Sequence, residues 1–178
     1  GRQIQLHELP LPVVVQPVHV LQIRFLGVME VIQQRPQRQH GRRVVTGQPL
    51  GGIVPELLAD ALKKDGQTEA HYFMLKGTEG LLHTTARSKD VIATLQKSGI
   101  TAEEAIPAVD CDFSRSVAME KVNALLANSA DFSKVDTIIS NNDDMALGAI
   151  EALKQAGVDT SKMKIVGIDG TQIGLQAI

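Results

Sequence analysis

The 178-residue sequence has few of the residues that build disulfide scaffolds, zinc sites or aromatic binding surfaces. Cys111 is its single cysteine, which excludes an internal disulfide and a cysteine cluster for zinc. Tryptophan is absent, and aromatic residues make up only 3% of the chain. No run of about 18 apolar residues occurs, which predicts that no segment spans a membrane. The net charge of −2 gives no general reason to expect a nucleic-acid partner.

The chain begins at Gly1 without the charged, apolar and small-residue regions that are typical of a secretion signal. This start is compatible with the mature form of an exported protein, whose precursor carries its signal upstream. It also leaves a cytoplasmic location open.

Charge divides the sequence into two segments. Residues 1–43 contain six arginines, no lysine and two acids, whereas residues 44–178 carry a net charge of −6. Four prolines in the first segment limit any long helix there. This segment is either a basic arm for an anionic partner or an atypical leader that is poorly ordered or non-native. We favour the second interpretation, because its basic residues are not interleaved with aromatics, and we predict one folded unit over residues 44–178.

Residues 44–178 alternate short apolar runs with amphipathic stretches, which predicts alternating strands and helices. The predicted strands cover 71–76, 105–109, 135–139 and 164–168. The predicted helices cover 53–64, 84–98, 114–126 and 143–155, with a last one beginning near Thr171. Such alternation predicts an α/β fold with a doubly wound, mainly parallel sheet and helices on both faces.

Polar and aromatic residues follow each predicted strand, at the edge where parallel sheets bind their ligands. His83 and Arg87 come after the first strand, Phe113 after the second, Asn142 after the third and Asp169 after the fourth. Amide, carboxylate and guanidinium groups suit the paired hydroxyls of a sugar, and Phe113 suits its apolar face. The pattern predicts a site for a neutral ligand, without a catalytic residue, metal or cofactor.

Each of these residues also has a purely structural interpretation. The Asn142-Asp143 dipeptide suits a helix cap, and Asp169-Gly170 is a common turn dipeptide. Phe113 suits a core position, whereas Arg87 and His83 suit solvated surface positions. Together the four turns favour a shared site, but they name no ligand.

Two motifs resemble the type 1 periplasmic binding protein family. They are SNNDDMALGAIEAL at 140–153 and IVGIDGT at 165–171. Sugar-responsive transcription repressors share both, so these motifs indicate the fold better than the function. A third motif, LKGTEG at 75–80 followed by HTTAR at 83–87, resembles the galactose/glucose-binding branch. The resemblance covers about residues 50–178.

The resemblance implies two lobes that close over one sugar. Arg87, Asn142 and Asp169 match sugar hydrogen-bonding residues, and Phe113 matches a stacking aromatic that is usually tryptophan. His83 stands where the branch often has an aspartate. The other lobe has no counterpart in residues 1–43, so we expect a partial chain that binds sugar far more weakly than an intact protein.

The function implied is an extracytoplasmic, periplasmic sugar-binding component of an ABC importer. Its partners are a galactose- or glucose-like monosaccharide and a membrane permease, and a lipid anchor stays open. The alternative is the effector-binding domain of a sugar-responsive repressor. That alternative needs a helix-turn-helix, which residues 1–43 do not supply.

Some members of the family also bind calcium. Asp65, Glu69 and Asp136 match ligand positions, but Ala61 and Lys63 replace two other ligands. Neither replacement supplies a carboxylate, so we predict no calcium site.

Overall fold

A computed structural model describes residues 54–128, 130–161 and 163–176 of the chain. The predicted basic segment, residues 1–43, lies outside the described residues. Four strands are present: β1 Glu69–Lys76, β2 Thr101–Asp110, β3 Thr137–Ser140 and β4 Lys164–Val166. They alternate with helices α1 Val54–Lys64, α2 Leu82–Lys97, α3 Arg115–Asn128, α4 Asp143–Gln155 and α5 Gln172–Gln176. A 3-10 helix, Ala130–Lys134, precedes β3.

The four strands form one parallel sheet in the order β2-β1-β3-β4. This confirms the predicted α/β architecture. From β1 the chain proceeds outward to β2 and then crosses back to β3, so β1 and β3 flank the point where the strand order reverses. Ligands of such sheets bind beyond the carboxyl ends of the strands at this reversal point. We call that end of the sheet the carboxyl edge.

Helices cover both faces of the sheet. Alternate side chains of β1 point to opposite faces. Phe73 and Leu75 join the core beneath α3 and α4, whereas Ala70 and Met74 join the core beneath α1 and α2. Fully burying one such large apolar side chain contributes about 1.5–3 kcal/mol. The two cores therefore fix the sheet, and with it the carboxyl edge, between the helix layers. No helix in the described part of the chain is long and apolar enough to cross a bilayer.

The edge strand β2 differs most from its predicted bounds. It begins at Thr101, four residues before the predicted start at Ala105. Glu103, Glu104 and Pro107 are exposed on it. Charged residues and proline are tolerated at a sheet edge, where one side of the strand needs no partner. Glutamate and proline have low strand propensity, so the first half of β2 is not recognisable as a strand in the sequence.

Candidate functional site

The buried side-chain amide of Asn141 links the ends of β1 and β3 at the reversal point. The backbone N–H of Gly77, which follows β1, donates to Oδ1 of Asn141, which follows β3, at 3.1 Å. Asn141 is fully buried, and its side chain also hydrogen-bonds the Ser88 hydroxyl of α2. A buried amide that is satisfied in this way fixes the relative positions of the elements it links. This role of Asn141 was not predicted from the sequence, although the doubled asparagine at 141 and 142 was a visible signal.

Arg87 connects helix α2 to two turns of the carboxyl edge. From α2, its Nη1 donates to the backbone carbonyl of Asn141 at 2.7 Å. Its Nη2 donates to Oδ1 of Asp169, beyond β4, at 2.9 Å. The Arg87 side chain is 19% exposed and that of Asp169 is 38% exposed. Arg87 is therefore no solvated surface residue, and Asp169 keeps its second oxygen, Oδ2, outside this ion pair.

Asn142 serves as a helix cap and also contacts a neighbouring turn. Its Oδ1 accepts a hydrogen bond from the backbone N–H of Met145 at 2.9 Å, which caps α4. Its Nδ2 donates to the carbonyl of Phe113 at 3.4 Å. Asn142 is thus the N-cap of α4, as one of its two interpretations from the sequence predicted. The acceptor of its amide is already used by the helix, and the amide nitrogen is the part directed toward the β2–α3 turn.

Phe113 and His83 form a stacked pair of rings at the same edge. Their centroids are 5.1 Å apart, and their planes meet at 29°. Asp112 and Phe113 both have left-handed backbone conformations, with φ of 50° and 57°, which turn the ring back over the end of β1. A Cβ atom on Gly77 would lie 1.9 Å from Cζ of Phe113. Gly77 is therefore the residue that leaves room for this ring pair, which we define as Phe113 and His83.

A buried carboxylate lies behind Asp169. Asp143, the first residue of α4, is 9% exposed, and its Oδ2 accepts hydrogen bonds from the backbone N–H and the hydroxyl of Thr171. Burial raises the pKa of the Asp143 carboxyl, although the hydrogen bonds from Thr171 oppose that rise. The Asn142-Asp143 dipeptide predicts a helix cap but not this contact, because nothing local shows the partner of Asp143, 28 positions away.

The single cysteine takes no reactive part at this edge. Cys111 is fully buried, and burial raises the pKa of its thiol to about 11. At neutral pH it is a protonated thiol and a poor nucleophile.

The five predicted site residues are thus linked at one end of the sheet. Asp169 bonds Arg87, Arg87 bonds the Asn141 carbonyl, Asn142 bonds the Phe113 carbonyl, and Phe113 stacks on His83. This arrangement offers hydrogen-bonding groups beside a pair of rings. The charges of Arg87 and Asp169 pair with each other, so this pair adds no net charge to the edge.

The residues matched to calcium ligands lie toward the opposite, amino end of the sheet. Asp65 pairs with Lys164, and Asp136 pairs with His71 at 3.0 Å. Within the described ranges, no group of three or more His, Cys, Asp or Glu side chains is arranged to hold a metal ion. The absence of a calcium site stays a prediction.

Known proteins that are similar to this chain include sugar-binding proteins of bacteria. The chain is 38% identical over 118 residues to the D-galactose/methyl-galactoside binding periplasmic protein of Haemophilus influenzae, covering 66% of this chain and 33% of that protein. It is 28% identical over 144 residues to the ribose import binding protein of Escherichia coli, covering 72% and 44%.

Among solved structures, an ABC transporter solute binding protein of Bacillus halodurans with bound myo-inositol matches with a TM-score of 0.61. The identity is 25%, covering 74% of this chain and 42% of that one. The chain thus spans between one third and just under half the length of these relatives. The model of the periplasmic binding protein domain matches residues 44–178. Because that match covers most of the sequence, the chain belongs to the periplasmic binding protein domain family.

Proposed function

We propose that this chain forms one sugar-binding lobe of an extracytoplasmic solute-binding protein. Its ligand is a galactose- or glucose-like monosaccharide, which the protein delivers to the membrane permease of an ABC importer. The names of the relatives support a periplasmic location and an import role. The lobe itself carries out no catalysis.

The observation that carries this proposal is the Arg87–Asp169 pair beside the ring pair at the carboxyl edge. Oδ1 of Asp169 is held by Arg87, whereas Oδ2 receives no hydrogen bond from the described residues. A sugar hydroxyl donates naturally to such a carboxylate oxygen, and a charge-assisted hydrogen bond of this kind is stronger than a neutral one. The apolar C–H face of a pyranose fits against Phe113 or His83.

Galactose is our first choice because of the 38% identity to the galactoside-binding relative. Ribose and myo-inositol are the competing ligands, since they appear in the names of other relatives. The ring pair discriminates among them through the apolar patch that each ligand presents. Direct competition between these sugars decides which one the edge prefers.

A titration of the ¹⁵N-labelled 178-residue chain, followed by two-dimensional NMR, tests the proposal. One lobe leaves a sugar half solvated, so we expect weak binding, with Kd on the order of millimolar. Galactose should shift the amide signals of Phe113, Asn142 and Asp169, and it should do so at lower concentration than ribose or myo-inositol. Nanomolar binding by this chain would contradict the single-lobe interpretation, and scattered, non-saturating shifts would contradict a sugar site.

The chain offers a matched pair of arginine variants for this titration. Arg87→Met removes the fork that holds Asp169 at the carboxyl edge. Arg115→Met removes an arginine that also pairs with one carboxylate, Glu151, in the middle of α4. We expect the first variant to lose saturable sugar binding and the second to retain it. Equal losses in both variants would show that the charge pair at the edge has no special role.

The extracytoplasmic location needs a separate test. Fractionation of the source cells, with an antibody raised against this chain, should recover it outside the cytoplasm. Recovery in the cytoplasmic fraction would contradict the transport role and leave the effector-binding alternative.

A further inference from the structure

Asp143 holds the chain on both sides of Asp169. Its backbone N–H donates to the carbonyl of Ile168 at 2.9 Å. Its carboxylate Oδ2 accepts from the backbone N–H of Thr171 at 2.6 Å and from the Thr171 hydroxyl at 3.0 Å. We propose that Asp143 is a positioning residue that directs Asp169 toward the sugar, an inference that rests on the proposed function.

The turn that contains Asp169 has a strained backbone, which the hydrogen bonds to Asp143 stabilise. Asp169 has a φ of 120° and Gly170 a φ of 63°. A non-glycine residue in this region of backbone space is strained, and it persists only where its surroundings fix it. The two attachments to Asp143 are made by residues 168 and 171, which bracket the strained pair. Without them the turn is free to relax and to carry the Asp169 carboxylate away from Arg87.

The surroundings of Asp143 are shaped to admit its carboxylate. A Cβ atom on Gly167 would lie 2.6 Å from Oδ1 of Asp143, and one on Gly174 would lie 2.7 Å from Oδ2. Neither glycine has a positive φ, so backbone conformation alone does not demand glycine at these positions. The glycines are needed because the buried carboxylate lies against them.

The hydrogen bonds of Asp143 continue through Thr171 into α5. The Thr171 hydroxyl, which donates to Asp143, also accepts a hydrogen bond from the backbone N–H of Gly174 at 3.1 Å. Arg87 holds the opposite side of the turn through Oδ1 of Asp169. Asp169 is thus fixed from α4 through the backbone and from α2 through its carboxylate. Asp143 is buried, so its effect on the ligand passes through Asp169 and this turn.

A double-mutant cycle on sugar affinity tests the inference. Loss or misplacement of a hydrogen bond to a charged group weakens binding about tenfold or more, so we expect that loss in Asp143→Ala. In the Asp169→Ala background, Asp143→Ala should cause no further loss, because the residue that it positions is gone. Asp60→Ala, an exposed site on α1, is the control and should leave affinity unchanged. Equal losses from Asp143→Ala in both backgrounds would overturn the inference.

Two milder variants keep the test decisive if Asp143→Ala does not fold. Asp143→Asn retains an oxygen that accepts from Thr171, so we expect it to keep affinity within about twofold. Thr171→Val is close to isosteric and removes only the hydroxyl, so its loss should lie between those of Asp143→Asn and Asp143→Ala. A Thr171→Val protein with unchanged affinity would contradict the proposed hold.

A sugar-free measurement separates this inference from the proposed function. The three-bond amide–α proton coupling and the dipolar couplings of Asp169 report its backbone conformation. We expect Asp143→Ala to change them and Asp143→Asn to keep them. Unchanged couplings in Asp143→Ala would overturn the positioning role. Wild-type protein that binds none of the tested sugars would instead overturn the proposed function, while the couplings still decide what Asp143 does to the turn.

Discussion

Replacement of Gly77 by alanine is the most informative single change at the carboxyl edge. The added Cβ would lie 1.9 Å from Cζ of Phe113, and 2.2 and 2.4 Å from two further ring carbons. Gly77 does not have a positive φ, so its backbone accepts alanine without strain. Its N–H also remains free to donate to Asn141. The variant therefore perturbs the Phe113 ring and little else.

The size of the effect follows from how far the ring must move. An ordinary contact begins at 3.4 Å, so Cζ must retreat by at least 1.5 Å from the new methyl group. That movement breaks the stack with His83, and such aromatic pairs contribute about 0.5–1.5 kcal/mol beyond area burial. Overpacking a well-packed site costs about 1–3 kcal/mol. Because Phe113 is only half-buried and can swing outward, we expect the low end, about 1 kcal/mol of lost unfolding free energy.

Urea unfolding followed by circular dichroism measures this loss. With a slope of about 2 kcal/mol per molar, the midpoint should fall by about 0.5 M. Phe113→Ala should remove most of the penalty that Gly77→Ala imposes, giving a coupling of about 1 kcal/mol in a double-mutant cycle. The ring-current shifts of the His83 protons should change in the single variant. A Gly77→Ala protein with an unchanged midpoint and unchanged His83 shifts would refute the proposed geometry of the ring pair.

Gly148, His71 and Asn142 each make a contact whose loss has a measurable consequence. Gly148→Ala places a Cβ 2.2 Å from the backbone carbonyl oxygen of Arg115, which cannot swing away as a side chain can. The variant should therefore lose about 2 kcal/mol or more of unfolding free energy, whereas the same change in an exposed helix would add stability. An equal or higher urea midpoint would contradict this. The hydrogen bond to Asp136 raises the pKa of His71 above its ordinary value near 6.5, so the stability that it contributes is present below about pH 6.5 and fades as pH rises through the folded pKa. The difference in unfolding free energy between wild type and His71→Gln should therefore shrink as pH rises above about 6.5 and through the folded pKa, and a constant difference would contradict this. Asn142→Ala removes the cap of α4 and should lose about 1 kcal/mol of unfolding free energy. Asn142→Asp keeps the capping oxygen, so it should keep that stability and still weaken sugar binding. Equal stability losses in the two variants would contradict the capping geometry.

Periodicity and turn residues were sufficient to predict most of the fold. The helix at 143–155 was predicted with the bounds that the structure shows, because apolar spacing and a stop at Gly157 mark it clearly. The strand predicted at 164–168 ends instead at Val166. Its last two predicted residues belong to the turn that Asp143 holds, and that long-range contact leaves no trace in local periodicity.

The candidate site could be predicted as a set of residues but not as a geometry. The turns after parallel strands, and the first residues of the helices that follow them, must meet at one edge. Grouping Arg87, Phe113 and Asn142 therefore required only the order of elements. The support around them depends on side chains distant in sequence. Gly77 matters because of a ring 36 positions away, and Asn141 matters because of the backbone N–H of Gly77. A single sequence does not show such pairs.

The central claim is that one monosaccharide binds at the carboxyl edge, against the ring pair and beside Asp169. Isotope-filtered nuclear Overhauser measurements on the labelled chain with excess galactose test it directly. We expect contacts from the C–H protons on one face of the sugar to the ring protons of Phe113 or His83, and we expect Arg87→Met to lose them. Contacts to His71 at the opposite end of the sheet, or none to either ring, would contradict it.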